Sequence, residues 1–250
     1  MLGRLAAKCR KIGNLLNFAG KRQEMDRKIY AVVVAGGSGT RMGAELPKQF
    51  LQLSGKYILQ RTLENFMEAV PDVRLVTVLP RRWMKAWKEM CLAASFDCPQ
   101  TLVAGGITRY LSVRNALEKV PDGALVAIHD GVRPFAGPEL IRRMLGMMSD
   151  SVRALIPVVP VVDTLKSLDP ALPDPVRSST VAVQTPQIFF SEDIKKAYAQ
   201  PYDPSFTDDA SVAARAGIPV TTTEGERFNI KITTREDLVF GEAILSLRRP

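Results

Sequence analysis

The chain has 250 residues, of which 46% are hydrophobic and 24% charged, enough to bury the core of one large domain or two small ones. No apolar stretch approaches the length of a bilayer-crossing helix, and charge interrupts the first residues too soon for a signal peptide, so a cytoplasmic protein without membrane contact is expected. The net charge of +8 suggests a nucleic-acid partner until it is located: residues 1–28 carry +6 and the remainder only +2.

Those first 28 residues (Arg4, Lys8, Arg10, Lys11, Lys21, Arg22, Arg27 and Lys28 against Glu24 and Asp26) offer a contact for nucleic acid or membrane, but read more simply as a poorly ordered basic extension, or as residues upstream of a true start at Met25. The folded body, residues 29–250, then has no excess charge that would call for nucleic acid. Cys9, Cys91 and Cys98 show no CxxC spacing, so no disulfide framework or zinc site is expected.

The body opens with an apolar run over 29–35 that reads as a buried parallel strand. It leads into Ala35-Gly36-Gly37-Ser38-Gly39-Thr40-Arg41-Met42-Gly43-Ala44-Glu45-Leu46-Pro47-Lys48. Gly36, Gly37 and Gly39 let the backbone turn its N–H groups onto phosphate oxygens, while Arg41 and Lys48 supply fixed positive charge. A Walker A loop would end in Gly-Lys-Ser/Thr, and a dinucleotide fingerprint would place a third glycine at Met42; neither fits. An ordinary glycine-rich strand-to-helix turn is the bland alternative.

Short Val- and Ile-rich runs then alternate with amphipathic segments: helix 56–69, strand 73–79, helix 81–94, strand 100–104, helix 108–119, strand 124–129, helix 137–149, strand 153–159, strand 181–184, helix 191–199, helix 207–216 and strand 219–222. This is the pattern of an α/β fold with a mostly parallel sheet flanked by helices. Within it, Gly105-Gly106 before Arg109 and Ser112 suits a flat base and a phosphate, or merely a helix capped by Thr108. Asp130 and Arg133 stand at the carboxyl end of a central strand, where open sheets bind ligands. There Asp130 suits ribose hydroxyls, substrate hydroxyls or magnesium, and Arg133 a phosphate. His129, the chain's one histidine, reads as a buried structural residue; a single histidine excludes a two-histidine metal centre and speaks against a Ser-His-Asp triad.

From 157 to 187 the alternation breaks. Two extended pieces around a proline-rich turn read as a long β-hairpin arm projecting from the sheet. Such an arm needs a surface to lie on, which predicts a homodimer with swapped arms. Thr207-Asp208-Asp209 suits either a helix cap or a site, and Lys231, interrupting an apolar run, either an edge-strand charge or an active-site cation.

Taken in order, Ala35 to Met42, Pro47-Lys48-Gln49, Gly105-Gly106 with Arg109 and Ser112, His129-Asp130 with Arg133-Pro134, Asp163-Thr164, Gln184 to Gln187, Thr207-Asp208-Asp209 and Asn229-Ile230-Lys231 resemble the 2-C-methyl-D-erythritol 4-phosphate cytidylyltransferase family from about residue 29 onward. The resemblance implies a Rossmann-like nucleotidyltransferase fold, a dimer interlocked by the arm, CTP as donor, a polyol phosphate as acceptor, and magnesium held mainly through the CTP phosphates, with no direct protein ligands assigned to the metal. By matching position it implies that Arg41 and Lys48 stabilise the pentacovalent phosphorus and that Arg177 and Lys231 hold the attacking phosphate, Arg177 acting in the other subunit's site. It further implies that Asp130, Arg133, Thr164 and Thr207 contact the acceptor, with Arg109 near a substrate phosphate, and that Ala35, Gly36, Gly106 and Ser112 hold the nucleotide. Departures from the family pattern at Gly131-Val132, Phe228 and Tyr110-Leu111 bear on the acceptor pocket. A ribitol 5-phosphate cytidylyltransferase of the same family, uridylyl or guanylyl transfer to a sugar phosphate, and a non-catalytic nucleotide- or nucleic-acid-binding protein are the competing readings.

Overall fold

The computed structural model describes residues 27–37 and 46–248. The basic extension therefore lies outside the described residues except for Arg27 and Lys28, and so do Gly39 and Arg41 of the glycine-rich loop.

At the centre of the sheet, β1 (Ile29–Val34) lies parallel to β6 (Leu125–Asp130) on one side and to β4 (Arg74–Leu79) on the other, and β4 pairs in parallel with β5 (Gln100–Ala104). Beyond β6 the direction reverses: β9 (Gln187–Phe190) is antiparallel to both β6 and β7 (Ala154–Pro160). Outermost, β10 (Thr221–Glu224) is parallel to β7. Among the described residues the order is β10-β7-β9-β6-β1-β4-β5, with β8 (Val181–Val183) attached to β7.

Strands apolar at successive positions need cover on both faces, and helices supply it. Ala31 and Val33 of β1 pack with Leu59, Leu63 and Phe66 of α1 (Ile58–Ala69), Trp87 of α2 (Met84–Ala93) and Leu140, Ile141 and Met144 of α4 (Pro138–Met147). Val32, pointing the other way, packs with Tyr110, Val113 and Leu117 of α3 (Arg109–Leu117), Ile194 of α5 (Ser191–Ala197) and Val212 of α6 (Asp209–Arg215). The period-2 alternation of a strand thus builds two cores from one run of residues.

Three features differ from the sequence expectation. The fully buried strand β9 sits where no strand was expected, because Gln187-Ile188-Phe189-Phe190 runs into Ser191, the first residue of α5, with no turn residue to mark its end. Helix α7 (Arg235–Leu247) was also not expected. Its outward residues Val239, Phe240 and Leu247 are apolar, which blurs the helical period, and Gly241 interrupts it. That glycine has a packing reason, since a Cβ there would stand 3.0 Å from Leu53 and 3.1 Å from Phe135. Finally, the arm holds only a short ladder, Val158 to Pro160 against Val181 to Val183. From 161 to 176 the chain leaves the sheet without strand pairing, and it makes a 3-10 turn over Arg177–Ser179.

A second small sheet, β2 (Gln52–Leu53) with β3 (Lys56–Tyr57), turns through Ser54 and Gly55, both with positive φ, as a two-residue hairpin requires. It starts α1 two residues later than the sequence pattern suggested. Trp87, fully buried, stacks at 5.8 Å on Phe50, two residues after Lys48. Truncation of Trp87 to Ala is expected to lower the unfolding free energy by about 3–5 kcal/mol in urea titrations, whereas Leu92→Ala, on the exposed face of the same helix, should cost less than about 0.5 kcal/mol.

Candidate functional site

The parallel register brings three chain crossings to one edge. Val34 is level with Asp130, the Ala35 amide donates to the Val78 carbonyl at 2.9 Å, and the Gly105 amide to the Leu79 carbonyl at 2.9 Å. The carboxyl ends of β1, β5 and β6 therefore open into one cleft, the usual ligand edge of an α/β sheet. A cavity of about 530 Å³ there is lined by Ala35, Gly36, Gly37, Lys48, Gly106, Arg109, Ser112, Asp130 and Lys231 among others.

The floor of this cavity is fixed by buried side-chain amides and hydroxyls. Gln49, almost fully buried, donates from Nε2 to the Ala35 carbonyl at 2.8 Å and thereby ties the start of the glycine-rich loop to the segment that carries Lys48. Ser112 Oγ accepts from the Gly106 amide at 3.1 Å and donates to the Thr108 carbonyl at 2.8 Å. Its hydroxyl thus shapes the Gly105-Gly106 shelf. Thr108 caps α3 by accepting from the Leu111 amide. Gly106 must be glycine, because a Cβ there would overlap Leu111.

Asp130 closes the cavity at the end of β6, where three cations converge on it: Lys231 at 3.0 Å, Arg133 at 3.4 Å and Arg109 at 3.6 Å. Burial pushes this carboxyl up, but Arg109, Lys231 and Arg133 together outweigh it and hold it well below the usual carboxylate range. A second cavity of about 280 Å³ adjoins the first and is lined by Arg109, Asp130, Arg133, Gln184, Thr207 and Lys231 among others. Arg109, Asp130 and Lys231 are common to both cavities. They form a charged partition between a larger and a smaller lobe.

Behind the partition, Arg109 makes a two-pronged bond to Asp209, Nη1 to Oδ1 at 2.8 Å and Nη2 to Oδ2 at 2.6 Å. Lys231 is carried on a loop pinned by Asn229, which donates to the Thr185 carbonyl at 2.9 Å and whose own carbonyl accepts from Arg133 Nη1 at 2.9 Å. His129 sits beneath, fully buried and edge-on to Phe66 at 5.2 Å. Thr185 Oγ1 accepts from the Asp130 amide at 3.1 Å, so its hydroxyl hydrogen goes to His129 Nδ1 at 2.9 Å, leaving the proton on Nε2 to donate to the Arg133 carbonyl at 3.0 Å. Burial drives the imidazole down to about 4, and the neutral ring braces the Asp130–Arg133 turn.

Thus Ala35, Gly36, Gly37, Lys48, Gly106, Arg109, Ser112, Asp130 and Lys231 meet at the larger lobe, and Arg133 and Thr207 join at the smaller one. Thr164 and Arg177 line neither; both are exposed on the arm, and Arg177 Nη1 donates to the Val162 carbonyl at 3.3 Å. The helix that Thr207 was expected to begin is capped instead by Asp208, whose side chain accepts from the Ser211 amide while Ser211 reaches back. Sequence reasoning gave no individual role to Gln49 or Thr185 and left Asp209 open between a helix cap and a site. The signal for Asp209 was there: a helix start uses one acid as its cap, and the second acid of Asp208-Asp209 needed another partner.

A hollow of about 580 Å³ beside Trp87, Phe96 and Leu102 is slightly larger, but no set of cations converges on it, so volume alone does not mark the site. The partitioned cleft offers backbone amides, a cationic wall and two adjoining lobes, which suits two phosphorylated molecules brought end to end. Among the described residues no three His, Cys, Asp or Glu side chains lie together to hold a metal ion. The carboxylate on the larger lobe's wall, Asp130, faces three cations, so this donor set fits a divalent ion that arrives on a polyphosphate.

Because His129 titrates near 4 in the fold against about 6.5 unfolded, protons favour the unfolded chain below neutrality. Its contribution, about 3 kcal/mol, is complete above pH 6.5 and is lost as pH falls toward 4. As the one histidine, it gives a single imidazole signal, and NMR titration should show no protonation above about pH 5.

The family model for 2-C-methyl-D-erythritol 4-phosphate cytidylyltransferase matches residues 29–247. A protein of that name from Bacteroides thetaiotaomicron is 46% identical over 215 residues, covering 86% of this chain and 98% of its own. Among solved structures, 4-diphosphocytidyl-2C-methyl-D-erythritol synthase from Anaerococcus prevotii superposes with a TM-score of 0.74 at 29% identity, covering 88% of this chain and 96% of its own. The 2-C-methyl-D-erythritol 4-phosphate cytidylyltransferase from Thermus thermophilus does so with a TM-score of 0.70 at 31% identity, over 88% and 99%. With the model spanning nearly all of the body and the fold shared, the chain belongs to the 2-C-methyl-D-erythritol 4-phosphate cytidylyltransferase family.

Proposed function

We infer that this chain transfers CMP from CTP to 2-C-methyl-D-erythritol 4-phosphate in isoprenoid precursor biosynthesis, releasing pyrophosphate and forming 4-diphosphocytidyl-2-C-methyl-D-erythritol. The observation that carries this reading is the pair of adjoining lobes with a shared cationic wall at the strand ends. CTP occupies the larger lobe, its base on the Gly105-Gly106 shelf beside Ser112 and its phosphates over Ala35, Gly36 and Gly37. The polyol phosphate occupies the smaller lobe against Arg133, Asp130 and Thr207.

A phosphate oxygen of the acceptor attacks the α-phosphorus of CTP in line. The new P–O bond forms as the bond from that phosphorus to the oxygen bridging the β-phosphorus breaks, and pyrophosphate leaves with the electron pair. The nucleophile is already an anion, so no proton has to be removed, and the protein's work is positioning and charge neutralisation. Lys48 neutralises the charge that accumulates on the equatorial oxygens, a role the family resemblance also gives Arg41, with Gly39 assigned to nucleotide binding. Lys231 holds the attacking phosphate. Magnesium carried on the triphosphate shields the charge between donor oxygens when bound.

Arg177 and Thr164 serve the second subunit's site in a homodimer of swapped arms. Support comes from the arm itself: Val162, Leu168, Leu172 and Val176 are apolar and exposed, and neither polar residue reaches the cleft of its own chain. We place the enzyme in the cytoplasm, with CTP and the polyol phosphate as its partners and with no nucleic-acid or membrane partner. No helix among the described residues is long and apolar enough to cross a membrane.

Pyrophosphate release from CTP and magnesium should depend on 2-C-methyl-D-erythritol 4-phosphate; release with ribitol 5-phosphate alone, or from another nucleoside triphosphate, would reassign the acceptor or the donor. Lys48→Ala should retain CTP binding by calorimetry and lose about a hundredfold or more in kcat. Arg177→Ala should fail similarly, and mixing it with Lys48→Ala subunits should restore one working site per heterodimer. Absence of rescue would sink the swapped-arm arrangement.

A further inference from the structure

We propose that Asp209 is a positioning residue that sets Arg109 at the partition between the two lobes, with Tyr198 and Gln187 holding Asp209 in turn. The proposal rests on the reading of Arg109 as a substrate-facing group and adds what makes it one.

Asp209 has no exposure at all, and both its oxygens are used. Oδ1 accepts from Arg109 Nη1 and from the Tyr198 hydroxyl at 2.6 Å, and Oδ2 accepts from Arg109 Nη2. A buried carboxylate gains nothing from burial unless such partners are held in place. Here they are held. The fully buried Gln187 donates to Asp208 Oδ2 at 2.8 Å and accepts from the Ala210 amide at 2.8 Å, which clamps the residues on either side of Asp209. Tyr198 stacks at 4.7 Å on Tyr110, the residue after Arg109, and the Tyr110 hydroxyl bonds the Tyr198 carbonyl at 2.9 Å. Arg109 is thereby gripped at its backbone by α3 and at its tip by the start of α6.

The consequence is geometric and electrostatic. Arg109 is attracted to Asp130, only 3.6 Å from its Nε, where Lys231 and Arg133 already sit. With both terminal nitrogens committed to Asp209, the guanidinium cannot collapse onto Asp130. Two of its five N–H groups are spent on Asp209 and Nε faces Asp130, which leaves the second hydrogen of each terminal nitrogen for phosphate oxygens. Asp209 also offsets one of the three cations, so that with Asp130 the wall keeps a small excess of positive charge.

The test is a double-mutant cycle on the full chain with CTP, magnesium and 2-C-methyl-D-erythritol 4-phosphate, with thermal unfolding followed for each variant. Asp209→Asn keeps the shape and removes the charge. It should lower kcat/KM for the acceptor by about tenfold or more in the parent, and by less than about twofold when Arg109 is already Gln. Asp209→Glu, which restores charge one methylene out of place, should not rescue. Side-chain ¹⁵N NMR should show the Arg109 Nη signals split by hindered rotation in the parent and averaged in Asp209→Asn. If Asp209→Asn does not fold, Tyr198→Phe takes its place in the same cycle, with a smaller fall expected in the parent and none in the Arg109→Gln background. Equal losses in both backgrounds, or no loss in the parent, would overturn the positioning role while leaving Arg109 at the substrate. An unchanged Arg109→Gln would instead overturn the reading of Arg109 itself and the proposal with it.

Discussion

One buried carboxylate, Asp130, allows three cations to stand within 3.6 Å of a single side chain at the end of a strand. Without it the charges of Arg109, Arg133 and Lys231 would repel one another across the strand end; with it they form a wall that faces two cavities. Isolated buried ion pairs rarely add net stability, because desolvation consumes the Coulombic gain. The cluster is therefore better understood as a device for position. Its carboxylate stays ionised because the three cations outweigh the burial that would otherwise neutralise it.

Much of the surrounding structure keeps that carboxylate where it is. The register of β6 against β1 brings Asp130 level with the last residue before the glycine-rich loop. Neutral His129, Thr185 and the Arg133 carbonyl form a hydrogen-bonded brace beneath it. Asn229 and Gln184 tie down the loop that delivers Lys231 from near the end of the body. A reaction whose nucleophile is already charged needs no base, and a site made of fixed cations and backbone amides matches that demand, since preorganised charge costs little reorganisation as the transition state forms.

Much of this was legible in the residues. Apolar runs at 29–35, 73–79, 100–104 and 124–129 announced the central strands, because a strand buried on both faces leaves an uninterrupted signal. Gly36, Gly37 and Lys48 marked the glycine-rich segment and Asp130 the end of a buried strand, and the structure brings all four to one cavity. Less visible were β9, which passes into a helix without a turn residue, and α7, whose outward face is apolar. The arm looked longer than its ladder of three residue pairs, since Val161 to Lys166 have strand propensity with no neighbour to pair with.

By itself the sequence determined the strand periodicity, the glycine-rich segment, the inventory of cations and the single histidine, for these depend on residue type and short-range spacing. Only the tertiary structure decided that Arg109 would be held by Asp209, a hundred positions away, that Ser112 would spend its hydroxyl on the Gly106 shelf, and that Thr164 and Arg177 would stand apart from their own cleft. Hydrogen bonds between distant side chains are chosen by which elements pack together, and packing is a property of the whole chain rather than of any window along it.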